Sequence, residues 1–296
     1  MNNAFAKVKK GGWIMGHDYE MNMKKAKQVW EFGVKQAVDE FCAEKGLKIS
    51  AKGMDGCVSY AIFVDFDAAI DQTTVHVKPE VFIDKIISNS FTMVSKERLI
   101  GLYNKCKAFN NTKYSFVECG VARGGCLALM TCFAGPDNEI FGFDSFDGMP
   151  NITDKDIGDY NKSNPLTGCG KVGDNLSGGI DNVYKTFREL QLDMTHVKLI
   201  KGYFNETLAV RDNIDCLGKI AILRLDGDWY ESTKICLDKL YDKVIVGGII
   251  IIDDYGHWVG AKNATDEFRT TYNISSPLIQ TDYTEYYWVK TESLTH

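Results

Sequence analysis

Long apolar runs are missing from this 296-residue sequence. The longest, Ile249 to Ile252 with its Val and Gly flanks, falls far short of the ~20 residues that cross a bilayer, so no membrane span is expected. No apolar stretch follows Met1-Asn2-Asn3, which runs into Lys7, Lys9 and Lys10, and no signal peptide is read there. A basic excess is also lacking. The 34 Lys and Arg are outnumbered by 40 Asp and Glu, giving a net charge of −6. That balance creates no global field for nucleic acid or an anionic membrane surface. Nine cysteines are present, an odd number, and no two have C-x-x-C spacing. Several sit inside apolar patterns, where a free thiol behaves as a small hydrophobe. Neither a disulfide framework nor a structural zinc site is expected on that pattern, and a reducing, cytoplasmic compartment is expected.

What is there is an ordinary globular composition, 45% hydrophobic and 25% charged, with length for about two domains of ~100–200 residues. Short apolar runs alternate with longer amphipathic ones, the pattern of an α/β protein with a parallel sheet covered by helices. Strands are expected at Ser115–Cys119, Glu139–Phe143, Val197–Ile200, Ile220–Leu225 and Gly248–Ile252. Helices are expected near Gly124–Phe133, Ile180–Leu190, Tyr230–Leu240 and Gly260–Tyr272. Each strand ends in Gly, Asp or Asn, and ligands of open α/β sheets lie beyond these carboxyl ends. The stretch from Pro150 to Gly179 is rich in Asp, Asn, Gly and Ser and reads as a long loop, either a cover for the site or a plain insertion.

An internal repeat stands out. Gly11-Gly12-Trp13-Ile14-Met15-Gly16-His17-Asp18-Tyr19 aligns with Gly247-Gly248-Ile249-Ile250-Ile251-Ile252-Asp253-Asp254-Tyr255. Further on, Gly33 to Phe41 and Gly260 to Phe268 both read G-x-K-x-A-x-D-E-F. Two blocks in the same order make residues 1–66 look like the closing strand–helix–strands part of a second α/β unit, with 67–88 as linker.

Three motifs carry chemistry. Val117-Glu118-Cys119-Gly120-Val121-Ala122-Arg123-Gly124-Gly125 is a strand, a Gly-containing turn and a helix start. Glycines let backbone approach a ligand, and the helix start offers free N–H groups. The spacing is not the G-x-G-x-x-G of dinucleotide binding, and a purely structural turn is the alternative. Next, Gly142-Phe143-Asp144-Ser145-Phe146-Asp147-Gly148-Met149-Pro150 puts an acid at the end of the second strand, where a ribose diol is gripped; a turn cap is the other reading. Last, Asp226-Gly227-Asp228 and Asp253-Asp254 end two later strands. Adjacent strand ends lie ~5 Å apart, so four carboxylates converge unless Asp226-Gly227 is only a turn and Asp254 only a helix cap. A divalent cation with oxygen ligands, such as Mg²⁺, resolves their mutual repulsion.

These residues carry a resemblance. With Lys201-Gly202-Tyr203-Phe204-Asn205-Glu206-Thr207-Leu208, Leu223–Thr233 and Gly247–Gly256, they form five blocks in order, and the stretch from Asn89 to Lys290 resembles the macrocin O-methyltransferase family. That family comprises metal-dependent sugar O-methyltransferases that use S-adenosylmethionine. The resemblance implies a class I methyltransferase (Rossmann-like) sheet with helices on both faces and a catalytic domain over 89–296. It sets S-adenosylmethionine against Glu118, Gly120, Val121, Gly124, Asp144, Ser145 and Tyr203. It assigns Mg²⁺ to Asp226, Asp253 and Asp254, and suggests Asp228 as the general base; from its place just past the acid pair, His257 is a second candidate base, with a hydrogen-bonded bystander as the other reading. Tyr203 stands where the family often has Trp. Trp229, Tyr230, Tyr255 and Trp258 are candidates for an apolar wall facing a sugar. The implied acceptor is a hydroxyl of a sugar or glycosylated small molecule, with no nucleic acid partner and homo-oligomerisation left open. A nicotinamide-dependent oxidoreductase and a non-catalytic assembly protein of methyltransferase fold are the rivals.

Overall fold

The structure is a computed structural model that describes residues 12–21, 38–42, 49–54, 57–64, 78–157 and 179–294. It divides into two compact units, Met1–Val77 and Lys78–His296.

The larger unit opens with two helices, α1 (Pro79–Ser88) and α2 (Lys96–Phe109). The linker expected at 67–88 is therefore shorter, because Phe82, Ile83 and Ile86 turn one face of α1 into the core. Ser95 caps α2 by accepting from Arg98 N, satisfying a donor that the helix start leaves open. There follow β4 (Ser115–Cys119), α3 (Gly125–Phe133), β5 (Ile140–Asp144), α4 (Ile180–Glu189) and β6 (Val197–Lys201). Two short helices, α5 (Phe204–Thr207) and α6 (Arg211–Asp215), lead to β7 (Ile220–Leu225) and α7 (Tyr230–Leu240). The chain closes with β8 (Val244–Ile252), α8 (Val259–Thr271), β9 (Ile279–Gln280) and β10 (Tyr286–Val289).

These strands make one seven-stranded sheet of order β6-β5-β4-β7-β8-β10-β9. The first five run parallel, and β10 lies antiparallel between β8 and β9. Every residue of β4 and β7 is buried, as befits strands covered on both faces. The core cluster runs from Val117 and Phe141 through Leu223 and Ile250 to Trp288, with Leu237 and Phe268 from the covering helices. Edge-on contacts of Phe133 with Phe82 (5.7 Å) and Tyr103 (4.6 Å) pin α1 and α2 to α3.

Register decides where the site forms. Cys119 pairs with Leu225, and Leu225 with Ile252, so Gly120, Asp226 and Asp253 leave the sheet at one level. Asp226 N donates to Cys119 O (2.8 Å) and Asp253 N to Leu225 O (2.9 Å), extending the ladder one residue past each strand.

The smaller unit is a three-stranded sheet of β1 (Gly12–Met21), β2 (Ile49–Met54) and β3 (Cys57–Val64), in the order β1-β3-β2 with both pairings antiparallel. That is the order and sense of β8-β10-β9. The register matches too: Trp13 to Gly16 face Phe63 to Tyr60, as Ile249 to Ile252 face Val289 to Tyr286. In the helical segment at 38–42, Val38 and Phe41 are buried, as are Thr265 and Phe268, which hold the same repeat positions in α8. The rest of the second repeat block, residues 33–37, lies outside the described residues, as does most of the expected long loop, 158–178.

Candidate functional site

A cavity of about 590 Å³ opens beyond the carboxyl ends of β4, β5, β7 and β8. All the residues assigned above to the cofactor, the metal or the base line it, apart from Gly124.

One wall is the turn after β4. Gly120 has φ +97°, and a Cβ there would sit 1.8 Å from Asp226 O, so only glycine fits. Asp144 holds this turn: its Oδ2 accepts from Val121 N (2.8 Å) and Ala122 N (2.9 Å), and its Oδ1 from Phe146 N (2.7 Å). The acid expected at a ribose thus also shapes the loop that lines the cavity. Ser145 Oγ donates to Gly148 O at 2.6 Å and fixes the neighbouring turn. Gly124 is the left-handed N-cap of α3 (φ +85°) and packs on Val183, setting the helix rather than the cavity surface. Tyr203 caps α5 at the rim.

The floor is charged. Arg224 is 1% exposed and lies beside Glu118 in the sheet register. Its Nη1 donates to Glu118 Oε1 and Asp226 Oδ2, both at 2.8 Å, and its Nη2 to Asp253 Oδ1. Burial pushes the Glu118 carboxyl up to about 8, against the pull of Arg224. Glu118 Oε2 is buried with no hydrogen-bond partner, an acceptor left for a ligand's donor.

The remaining acids lie close together. Oxygens of Asp226, Asp228 and Asp254 lie within 4.8 Å of one another. Asp253 instead spends Oδ1 on Arg224 and Oδ2 on Arg98 Nη1 (2.7 Å), which arrives from α2. Asp226 and Asp254 of the residues assigned above to the cation thus cluster with Asp228, while the third, Asp253, accepts from two guanidiniums. Asp228 sits at φ +57°, a strained conformation for a non-glycine that turns its carboxyl inward. Burial, then the charges of Asp226 and Asp253, push it up to about 7. Trp258 and Asp254 hydrogen-bond to it. Burial and the neighbouring Asp228 raise Asp254 well above the carboxylate range, and Asp254 Oδ2 has no partner. Clustered, desolvated carboxylates with an orphaned oxygen are a donor set suited to a hard divalent cation.

The His257 ring stands edge-on to Trp258 (4.6 Å) and Tyr283 (5.9 Å), and the backbone N–H of His257 donates to Asp254 O (3.0 Å). Of the suggested aromatic wall, Trp229 (1% exposed), Tyr230 (3%) and Trp258 (9%) are largely packing residues, and Tyr255 does not line the cavity. Sequence reasoning missed Arg224, Arg98 and Tyr283. A lone Arg inside the apolar run Ile220–Leu225 was the available signal for the first. The other two carry none, since they reach the site only through tertiary packing.

The strand order, the glycine turn and the acids at the sheet's carboxyl edge define a class I methyltransferase. The macrocin-O-methyltransferase (TylF) family model matches residues 75–290. The demethyldecarbamoylnovobiocin O-methyltransferase of Streptomyces niveus is 35% identical over 211 residues, covering 69% of this chain and 77% of that one. The 8-demethyl-8-(2,3-dimethoxy-alpha-L-rhamnosyl)-tetracenomycin-C 4'-O-methyltransferase of Streptomyces olivaceus is 30% identical, covering 68% and 76%. Among solved structures, the O-methyltransferase NovP superposes with a TM-score of 0.60 at 32% identity, covering 68% of this chain and 82% of that one. The chain belongs to the macrocin-O-methyltransferase family, and it is an S-adenosylmethionine-dependent O-methyltransferase.

Proposed function

We propose that the protein methylates a hydroxyl of a sugar on a glycosylated small molecule, assisted by Mg²⁺. The observation that carries this reading is the grouping of Asp226, Asp228 and Asp254 in the cavity that the Gly120 turn also lines. S-adenosylmethionine supplies an electrophilic methyl on a sulfonium. Glu118, Gly120, Val121, Asp144, Ser145 and Tyr203 would hold it: Gly120 leaves room for a close approach, and Glu118 Oε2 is an unpaired acceptor in the cavity they line. Asp226 and Asp254 would hold the cation, whose chemistry is to stabilise a forming alkoxide. Asp253 serves as their anchor, fixed by Arg98 and Arg224. Asp228 takes the acceptor's proton, a contribution of ~10²–10⁴-fold for general-base catalysis. His257 is the second candidate for that role. Trp229 and Trp258 meet edge-on at 5.2 Å, and Trp258 hydrogen-bonds to Asp228. Holding oxygen and methyl at attack distance supplies much of the remaining acceleration. The Streptomyces olivaceus relative is named for a rhamnosyl-bearing tetracenomycin, which supports this acceptor class.

The test is incubation with labelled S-adenosylmethionine, with and without Mg²⁺, against a panel of glycosides. Label transfer that needs Mg²⁺ supports the reading; transfer unaffected by chelation removes the cation from it.

On the same reading, residues 1–66 are a partial copy of the β8–α8–β9–β10 module, with His17-Asp18 standing where the catalytic unit has Asp253-Asp254. Its sequence has no Gly-rich first strand and no second-strand acid, so the copy has no cofactor site of its own. A double variant, His17→Ala with Asp18→Ala, then keeps full S-adenosylhomocysteine affinity, and loss of that affinity would count against it.

A further inference from the structure

Tyr283 is 68% exposed, and it lines the cavity. Its position is built, not incidental. It sits in the turn between β9 and β10, and the neighbouring Asp282 ties that turn from both sides. Asp282 Oδ1 accepts from Thr284 N (2.9 Å), Thr284 Oγ1 (3.1 Å) and Glu285 N (2.9 Å). Its Oδ2 accepts from Ser95 Oγ (3.2 Å) and pairs with Arg98 Nε (3.1 Å), the same arginine that fixes Asp253. From the far side, Gly256 N donates to Thr284 O (2.8 Å), and a Cβ on Gly256 would fall 1.9 Å from Tyr283 O. A large ring is thus held in water on a turn clamped by α2 and by the loop after β8.

Rings continue inward from it. Tyr283 meets the His257 ring at 5.9 Å and 79°, His257 meets Trp258 at 4.6 Å, and the Trp258 indole hydrogen-bonds to Asp228. A pyranose collects several C–H bonds on one ring face while its hydroxyls point outward from the ring edge. Such a face suits an aromatic ring, and an edge hydroxyl can then reach inward along this run of rings.

We propose that Tyr283 is the platform for the acceptor sugar: its ring stacks on the C–H face of a pyranose whose hydroxyl is presented toward Asp228. This rests on the reading of the site as a sugar O-methyltransferase and adds the residue that selects the sugar ring. Tyr283 is a binding residue with no part in proton transfer, so the cofactor's affinity does not depend on it.

The probe is methyl α-L-rhamnopyranoside, observed by saturation-transfer NMR on the intact chain loaded with S-adenosylhomocysteine. Saturation is expected to reach the ring C–H protons in the wild type. Tyr283→Ala should weaken probe affinity roughly 3- to 10-fold, the range of a single aromatic stacking contact. Tyr283→Phe should bind as the wild type does, because the ring face and not the hydroxyl makes the contact. S-adenosylhomocysteine affinity, measured by calorimetry, should be equal in all three. Wild-type-like probe binding by Tyr283→Ala overturns the platform. So does equal weakening in Tyr283→Phe, or a cofactor-loaded wild type that gives no saturation transfer. Failure of the wild type to bind S-adenosylhomocysteine would instead sink the methyltransferase reading and the platform with it.

Discussion

Replacing Arg224 by Met keeps the side chain's length and removes its charge, and the structure says where the cost falls. Arg224 contacts three carboxylates, but they are not equally dependent on it. Asp253 keeps Arg98 at 2.7 Å. Asp226 has 26% side-chain exposure, so water can replace the lost donor. Glu118 is 1% exposed, and Arg224 is its partner through Oε1 while Oε2 has none. Burial already pushes the Glu118 carboxyl up to about 8, so without Arg224 it takes up a proton, and the cost is that of a buried polar group left unpartnered, about 1–3 kcal/mol. Part of that cost should be recovered when Glu118 is replaced as well. Urea unfolding of wild type, Glu118→Gln, Arg224→Met and the double variant measures this, with an unchanged denaturant slope as the check on two-state behaviour. A coupling of about 0.5–3 kcal/mol between the two sites is expected, in the sense that the double variant is more stable than the sum of the singles. An Arg224→Met protein within about 0.5 kcal/mol of wild type, the range of an inert surface change, would refute the reasoning.

Three further outcomes follow from the same geometry. Gly120→Ala places a methyl 1.8 Å from Asp226 O at φ +97°, so the turn must move; S-adenosylhomocysteine binding by calorimetry should be lost, and retained affinity would contradict the close approach. Asp156 is 1% exposed and accepts from Tyr230 N at the start of α7 and from Thr153 N and Oγ1 (2.6, 2.8 and 2.9 Å). Asp156→Ala should cost about 1–3 kcal/mol in thermal unfolding, the penalty of stranding buried donors. Chelation should abolish methyl transfer and Mg²⁺ restore it, while Asp254→Asn should demand more Mg²⁺ for the same rate; unchanged Mg²⁺ dependence would remove Asp254 from the cation's donors.

The catalytic unit's strands were legible because each is a short apolar run that ends in a turn residue. Ser115–Cys119 and Ile220–Leu225 agree with expectation at both ends. β8 starts four residues earlier than expected, at Val244, because Val246 and Gly247 are exposed, and the Gly247-Gly248 pair interrupts the apolar run between Val244 and Ile252. The helix α1 was read as linker, since a single apolar face of Phe82, Ile83 and Ile86 in ten residues gives little periodicity to read.

By itself, the sequence determined that four acids would gather at one sheet edge, because parallel strands paired in register release their next residues at the same level. It also determined the glycine that lets Asp226 pass close to the first turn. Which acids share a cluster was decided only in three dimensions. Arg98 comes from 155 residues earlier in the chain to occupy Asp253, and that choice leaves Asp228 beside Asp226 and Asp254. Tyr283 likewise reaches the cavity only because Asp282 and Gly256 fasten its turn there. Strand register is a local backbone property that apolar patterning can encode. The partner of a buried charge depends on which distant helix packs above it.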